Sequence, residues 1–426
     1  MTHADPQLQA RRARSAYRRG IVNGILFAAG MAFVNPVTVI PTFVARLTDS
    51  DLIIGLISGF GMSGWFLPQF FSGTYLRSQP HKRPVYVYTA FLRGLGLLLA
   101  VLAVYFLTRH SAAAALLGFA FGYAIYALGG GVGGPAFLDI VAKTIPGNRL
   151  GAFFGHREFW GGIVAIACGF LVGAILAQQA IPFPANYSLL FALALASFAP
   201  GWLIFATIHE PPGRTAEPQA LLPFLRTLPA LLREHSEFRL LLVSRLFTGS
   251  GAIAVPFYII YCRRVLAVPE AAAGTYLSVQ MAGSVMLIPL WAYLNDRRGP
   301  RALLITVAIL AAVVPLIALA VASHPSGTDF DRIAFGFVFF PLIAIGAGSF
   351  MGYHNYLFAI APEEQRPLYI GVQNTLFAIT GFLPLLGGLV VEHASFRALF
   401  SLAAIIGSLG LIATFKLSDR RPSAGE

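Results

Sequence analysis

Four ionisable side chains fall inside stretches that are otherwise apolar, and their burial is where chemistry would begin. Arg93 and Arg245 each sit inside such a stretch, about nine residues and so about 13 Å from its end at 1.5 Å per helical residue. A guanidinium at that depth is costly and faces a cavity or a partner. Asp139 and Glu158 are the carboxylates that fall partly within apolar runs. Low dielectric favours the protonated form of a carboxyl, while a neighbouring cation favours the ionised one. Arg157 stands beside Glu158, and Lys143 follows Asp139 by four residues. Permanently ionised, structural carboxylates are therefore placed ahead of proton carriers.

The elements that must position these groups are twelve apolar runs, approximately 21–46, 52–76, 84–107, 113–143, 150–178, 187–208, 238–262, 271–295, 301–322, 332–358, 367–391 and 396–416. Each approaches the ~20 residues that a helix needs to cross a bilayer. Within lipid every backbone polar group must be satisfied internally, so the runs are helices or closed barrels, and they lack the short alternation of barrel strands. Charged residues make up only 11% of the chain and mean hydropathy is +0.72, whereas a soluble domain carries about 25% charge. The expected fold is an all-α membrane protein of twelve transmembrane helices. Its parts are an N-terminal tail 1–20, a six-helix bundle 21–208, a central loop 209–237, a second bundle 238–416 and a tail 417–426.

The net charge of +12 would suggest nucleic acid in a soluble protein. Here its distribution reports topology. With the N-terminus inside, 22 of the 30 Lys and Arg fall in cytoplasmic segments, six outside and two within spans. That asymmetry places both termini in the cytoplasm and makes the Arg-rich start a topological anchor facing anionic lipid. The first apolar run is too long for a cleavable signal peptide. Cys168 and Cys262 suggest neither a disulfide framework nor a metal motif. No metal site, cofactor or nucleic-acid partner is expected, and the chain is expected to be a monomer in the cell membrane.

The halves read as a duplication. At a shift of 216, Pro146, Gly155, Gly130 and Asp139 fall on Pro362, Gly371, Gly346 and Asn355. At a shift of 219, Gly55, Met62 and Gly64 fall on Gly274, Met281 and Gly283. The sharpest local motif is Ala292-Tyr293-Leu294-Asn295-Asp296-Arg297-Arg298-Gly299-Pro300-Arg301. It resembles the G-x-L-x-D-R-x-G-x-R/K loop signature of the major facilitator superfamily. Leu294, Asp296, Arg297, Gly299 and Arg301 match, and Ala292 stands at the first glycine. An aspartate at a helix end can bridge to a neighbouring helix terminus, and the glycine permits a sharp turn. The first-half counterpart, Gly73 to Arg83, is degenerate, with Ser78 at the acidic position and His81 at the glycine. The G-P-x-x-G-G stretch of many drug antiporters is missing from the fifth run, which weakens an antiporter assignment.

The resemblance implies two six-helix repeats that alternate access to a central path lined by spans one, four, seven and ten. On that expectation Arg245 takes a substrate or gating role and Arg93 a structural pairing role. Asn35, Tyr123, Tyr126, Tyr258 and Gln280 complete the substrate path. Asp139, Arg157, Glu158, His354, Asn355, Gln373 and Asn374 form a polar layer for coupling or a cytoplasmic gate. The expected function is secondary active transport of a small organic or amphipathic solute, proton-coupled, with export favoured over uptake. An uptake permease for an organic anion or sugar is the alternative, and a lipid flippase or intramembrane enzyme stands further off. Gly61-Met62-Ser63-Gly64 matches the short motif of intramembrane serine proteases, but such a match is cheap in a Gly-rich chain.

Overall fold

The computed structural model describes residues 6–213, 215, 232–362 and 366–419. Most of the central loop, Arg214 and Arg226 included, lies outside the described residues, as do residues 1–5 and the tail from Arg420.

The described chain is helical, with no strand among the described residues. Its first half runs α1 (Pro6–Phe33), α2 (Val39–Val44), α3 (Asp51–Ser78), α4 (Arg83–Leu102), α5 (Ala112–Thr144), α6 (Leu150–Ala177) and α7 (Ala185–Ala206). The second half runs α8 (Ser236–Gly249), α9 (Val255–Arg264), α10 (Ala272–Arg298), α11 (Pro300–Ser323), α12 (Asp329–Phe339), α13 (Leu342–Ile360), α14 (Arg366–Ala378), α15 (Leu383–His393) and α16 (Phe396–Phe415). Among the described residues ten stretches are long and apolar enough to cross a membrane. The segments Asp51–Gly61 and Ser63–Gln69 of α3, which meet at 45°, bring the number to eleven when the bent pair is counted as one span.

The first expected span departs most from a simple rod. Its helix starts at Pro6, well before position 21, and stops at Phe33 before resuming as α2. Pro36 follows the break and disfavours helical backbone at the residue before it. The expected seventh, tenth and eleventh spans are likewise each made of two helices, joined at Ser250–Ala254, Phe340–Pro341 and Ile379–Phe382. Local chemistry sets several ends. The hydroxyls of Ser111 and Ser395 accept the Ala114 and Ala398 N–H groups at 3.3 and 3.1 Å, capping α5 and α16.

The chain divides into two compact units, Met1–Asn35 with Gly64–Gln219 and Pro36–Ser63 with Ala220–Glu426. In the first, α1 packs on α6 and α7, and α4 packs on α5 and α7. Gly96 and Gly122 let α4 and α5 touch backbone to backbone, since a Cβ on Gly122 would lie 2.4 Å from the Gly96 carbonyl oxygen. In the second, α11 packs on α13 and α16, α8 on α16, and α10 on α13. The segment 36–63 also belongs to the second unit. Arg264 donates to Asp51 at 2.7 Å, and Glu392 accepts from Ser50 and from the Leu52 N–H.

Candidate functional site

Arg245 lies on α8 and is 4% exposed. Its guanidinium stands 4.6 Å from the Phe377 ring centroid and 5.6 Å from that of Tyr353. Nη2 donates a long bond, 3.4 Å, to the Asn374 side-chain oxygen, and Nη1 is buried with no partner among the described residues. Among the described residues no carboxylate pairs with it. The Tyr353 ring is itself fixed, because its hydroxyl donates to Thr248 at 3.1 Å and lies 2.8 Å from Ser244 Oγ. Ser244 Oγ in turn lies 2.7 Å from Thr414 Oγ1. Arg245 also lines a cavity of about 130 Å³ with Thr248, Tyr258, Ser349, Tyr353 and Phe377, walled by Val255, Val314 and Ile345. An unpaired buried charge costs several kcal/mol, and cation–π contacts return about 2 kcal/mol when desolvated. The guanidinium is therefore restrained but not neutralised.

Arg93 is the counterpart in the first unit, 5% exposed on α4. Four rings surround it: Trp202 at 4.6 Å, Tyr126 at 5.0 Å, Trp65 at 5.5 Å and Phe27 at 5.6 Å. The structural role expected for it rested on an ion pair, and the geometry corrects that. Its Nε and Nη2 have no hydrogen-bond partner, and no carboxylate pairs with it among the described residues. Aromatic faces, negative at their centres, hold it instead. Phe27 serves a second arginine as well, Arg157, whose guanidinium lies 5.8 Å from it and 4.5 Å from Phe137.

The remaining expected residues divide by unit. In the first, Tyr123 and Tyr126 stack in a row with Phe119, and Tyr126 donates to the Met31 sulfur at 3.4 Å. Asn35 is buried at the break after α1. Asp139 is ion-paired to Lys143. Glu158 is exposed and makes no ion pair with Arg157 among the described residues. In the second unit, Tyr258 stacks on Phe400 and Gln280 is buried on α10. Asn355 donates to Asn295 at 3.0 Å, and His354 Nδ1 lies 2.7 Å from the Phe350 carbonyl. Gln373 is buried with both side-chain polar atoms unpartnered. Of these four residues on α13 and α14 only Asn374 reaches Arg245. The Ser63 hydroxyl donates to the Gly59 carbonyl at 3.1 Å, so neither it nor His354 is engaged with the other.

The loop motif works through a different residue from the one expected. Gly299 adopts φ +86° between α10 and α11, a conformation that only glycine takes without strain, and Leu294 packs against the cluster around Trp291 and Val307. Asp296 accepts from its neighbour Asn295 and bridges to no helix terminus among the described residues. Arg301 makes that link, donating to the Leu417 carbonyl at 2.6 Å and the Phe415 carbonyl at 3.0 Å, where the end of α16 leaves carbonyls unpaired. Arg297 is exposed.

Sequence reasoning missed Glu210, which organises the corresponding place in the first unit. Its carboxylate accepts the backbone N–H groups of Lys82 and Arg83 at 2.7–2.9 Å and the Lys143 ammonium at 2.9 Å. Arg83 donates to the Ala206 carbonyl at 2.6 Å, as Arg301 does to the end of α16. Burial raises the Glu210 pKa, but the Lys82 amide, the Lys143 ammonium and the Arg83 amide outweigh it, and the net shift is downward. The signal available in the sequence was an acidic residue just after a span, beside a loop otherwise rich in cations.

Residues 240–426 match the family described as Major Facilitator Superfamily. An "MFS-type transporter ungB" from Aspergillus violaceofuscus (strain CBS 115571) is 34% identical over 84 residues, which are 19% of this chain and only 15% of that relative. Among solved structures, a bacterial homologue of the iron transporter ferroportin in an inward-facing state superposes with TM-score 0.70 at 16% identity, covering 95% of this chain and 99% of the other. The nucleoside transporter NupG gives 0.69 at 14% identity, covering 94% and 98%. A D-xylose-proton symporter gives 0.64 at 15%, covering 96% and 97%. These likenesses show that the chain shares the fold of those three transporters. They do not extend to a substrate, since one fold carries many.

Proposed function

We propose that the chain is a secondary active transporter of a small organic solute in the cell membrane, working by alternating access. Its twelve spans form two six-helix repeats with both termini cytoplasmic. The observation that carries a substrate role for Arg245 is the cavity of about 130 Å³ that it lines, with a single long hydrogen bond to its guanidinium among the described residues. Repeat-built transporters place their sites between elements of this kind. Asn35, Tyr123, Tyr126, Tyr258 and Gln280 complete the path in this reading, and the carboxylate assigned to proton coupling is Glu158, because Asp139 is committed to Lys143. The direction assigned is export.

The test is counterflow in proteoliposomes holding the full chain, with a pH gradient of either sign imposed on vesicles of known orientation. Accumulation that follows the gradient supports coupled transport. Solute movement that ignores both gradient and protein excludes it. An outward-driven flux fixes export, and an inward-driven one replaces it with uptake.

A further inference from the structure

We infer that the cavity beside Arg245 receives the carboxylate end of the solute, so that the transported molecule is an organic monoanion with an apolar body. The inference rests on the transport reading above and names its substrate class.

Three observations converge on it. The guanidinium is nine-tenths buried or more, and Nη1 has no partner among the described residues. Its sole hydrogen bond among the described residues is the 3.4 Å contact to a neutral amide oxygen. What such a group lacks is an anionic oxygen, and a charge-assisted bond to one is about twice as strong as a neutral bond. The rest of the cavity wall is mostly apolar, with Val255, Ala311, Val314, Leu342 and Ile345, and it also carries Thr248 and Tyr353, whose hydroxyls bond to each other, and Tyr258 and Ser349. A sugar would bury most of its hydroxyls against the apolar part of the wall, at a cost that a hydrocarbon does not incur, and a lipophilic cation would meet the arginine's own charge. Finally, about 130 Å³ is well short of the ~300 Å³ at which pockets enclose a drug-sized ligand. The space suits a headgroup and the start of a chain. A single guanidinium matches one negative charge, which favours a carboxylate over a phosphate dianion.

The hydroxyl network explains how the site is presented. Ser244, Thr248 and Thr414 surround the Tyr353 hydroxyl or its partner, leaving the ring face toward Arg245. Phe377 closes the other contact. The guanidinium is thus held in place by groups that leave its Nη1 donor unused among the described residues.

The experiment measures thermal stabilisation of the purified full chain by monocarboxylates from acetate to octanoate and by phenylacetate. Each acid is compared with its amide and with the matching phosphonate, and counterflow of the best binder is followed in proteoliposomes. Saturable stabilisation by at least one acid and none by its amide is expected. Arg245→Gln should weaken that acid about 10- to 100-fold, the range that loss of a charged hydrogen bond gives. Gly346→Val is the second variant. A Cβ at Gly346 meets no atom within 4 Å and the residue lines the cavity, so valine narrows the space while leaving the arginine intact, and the same acid should again bind more weakly. The inference is overturned if no acid binds, if amides bind as well as acids, if phosphonates bind better, or if both variants bind like the parent. Acid binding that depends on Arg245 without counterflow supports the headgroup site and removes the transport reading. Counterflow of neutral solutes without acid binding leaves transport standing and removes this inference.

Discussion

Arg93 and Arg245 are the same side chain at the same burial, one in each unit, and they differ in how completely the protein uses them. Arg93 is closed in by four rings drawn from α1, α3, α5 and α7. Gly129 and Gly130 clear its stem and Trp65, since a Cβ on Gly129 would lie 2.9 Å from Arg93 Cγ and one on Gly130 2.5 Å from the Trp65 ring. Arg245 has two rings, one long hydrogen bond and a cavity. A buried cation can thus be enclosed by the faces of aromatic side chains and become a packing post, or be left beside a cavity and become a receptor. Burial alone does not distinguish the two. The count of neighbours around the guanidinium does.

The largest effect that tests this comparison is on stability at the post. Arg93→Ala removes a side chain packed between four rings, and large-to-small core changes cost about 2–5 kcal/mol. A fall of several degrees in Tm is expected in detergent, larger than that of Arg245→Ala. Equal or reversed shifts would erase the distinction. Arg93→Lys should not restore the parent Tm, because an ammonium lacks the flat face that stacks on rings.

Next in size is the converse effect on activity. Arg245→Gln should lower solute counterflow about tenfold or more while moving Tm less than Arg93→Ala does. A variant that transports like the parent would make Arg245 a second post.

The units also differ in how they tie their helix ends, and Glu210 sharpens that difference. Glu210→Gln leaves two backbone amides and an ammonium with a weaker acceptor, at a cost of about 1–3 kcal/mol. The folded-state pKa is depressed below the ordinary glutamate value of 4.5. The contribution of the carboxylate is therefore present above about pH 4.5 and lost as pH falls through the lower folded value. The Tm gap between parent and variant should close in that acid range and stay open at neutral pH. The matching change in the second unit, Arg301→Ala, should lower Tm by a comparable amount with no such pH window.

Smaller again is Gly299→Ala, which forces φ +86° on a residue with a Cβ and should cost on the order of 1 kcal/mol. Glu158→Gln should leave Tm unchanged, because the side chain is exposed and makes no ion pair among the described residues. If Glu158 carries the coupled proton, the pH-driven part of transport is lost with it.

Much of the architecture was legible because a bilayer punishes the alternatives. A run of about 20 apolar residues has one way to satisfy its backbone there, so the helices fall close to where hydropathy put them. The breaks at Ser250–Ala254 and Ile379–Phe382 were not legible, because such runs stay apolar through a change of helix geometry. The loop motif announced its turn, since a positive φ selects glycine and Gly299 stands in the expected place. It misdirected on Asp296, because two helix ends within reach of Arg301 are neighbours in space only.

By itself, the sequence determined that this chain carries many runs long and apolar enough to cross a membrane and that Arg93 and Arg245 fall inside two of them. These follow from composition and spacing, properties that do not depend on which helix meets which. Tertiary structure alone decided that Arg93 is enclosed by rings and Arg245 is not, that Glu210 gathers the ends of α4, α5 and α7, and that residues 36–63 join the second unit. Each depends on contacts between residues tens to hundreds of positions apart. A guanidinium's partners are set by the helices packed around it, and hydropathy along one helix carries no record of them.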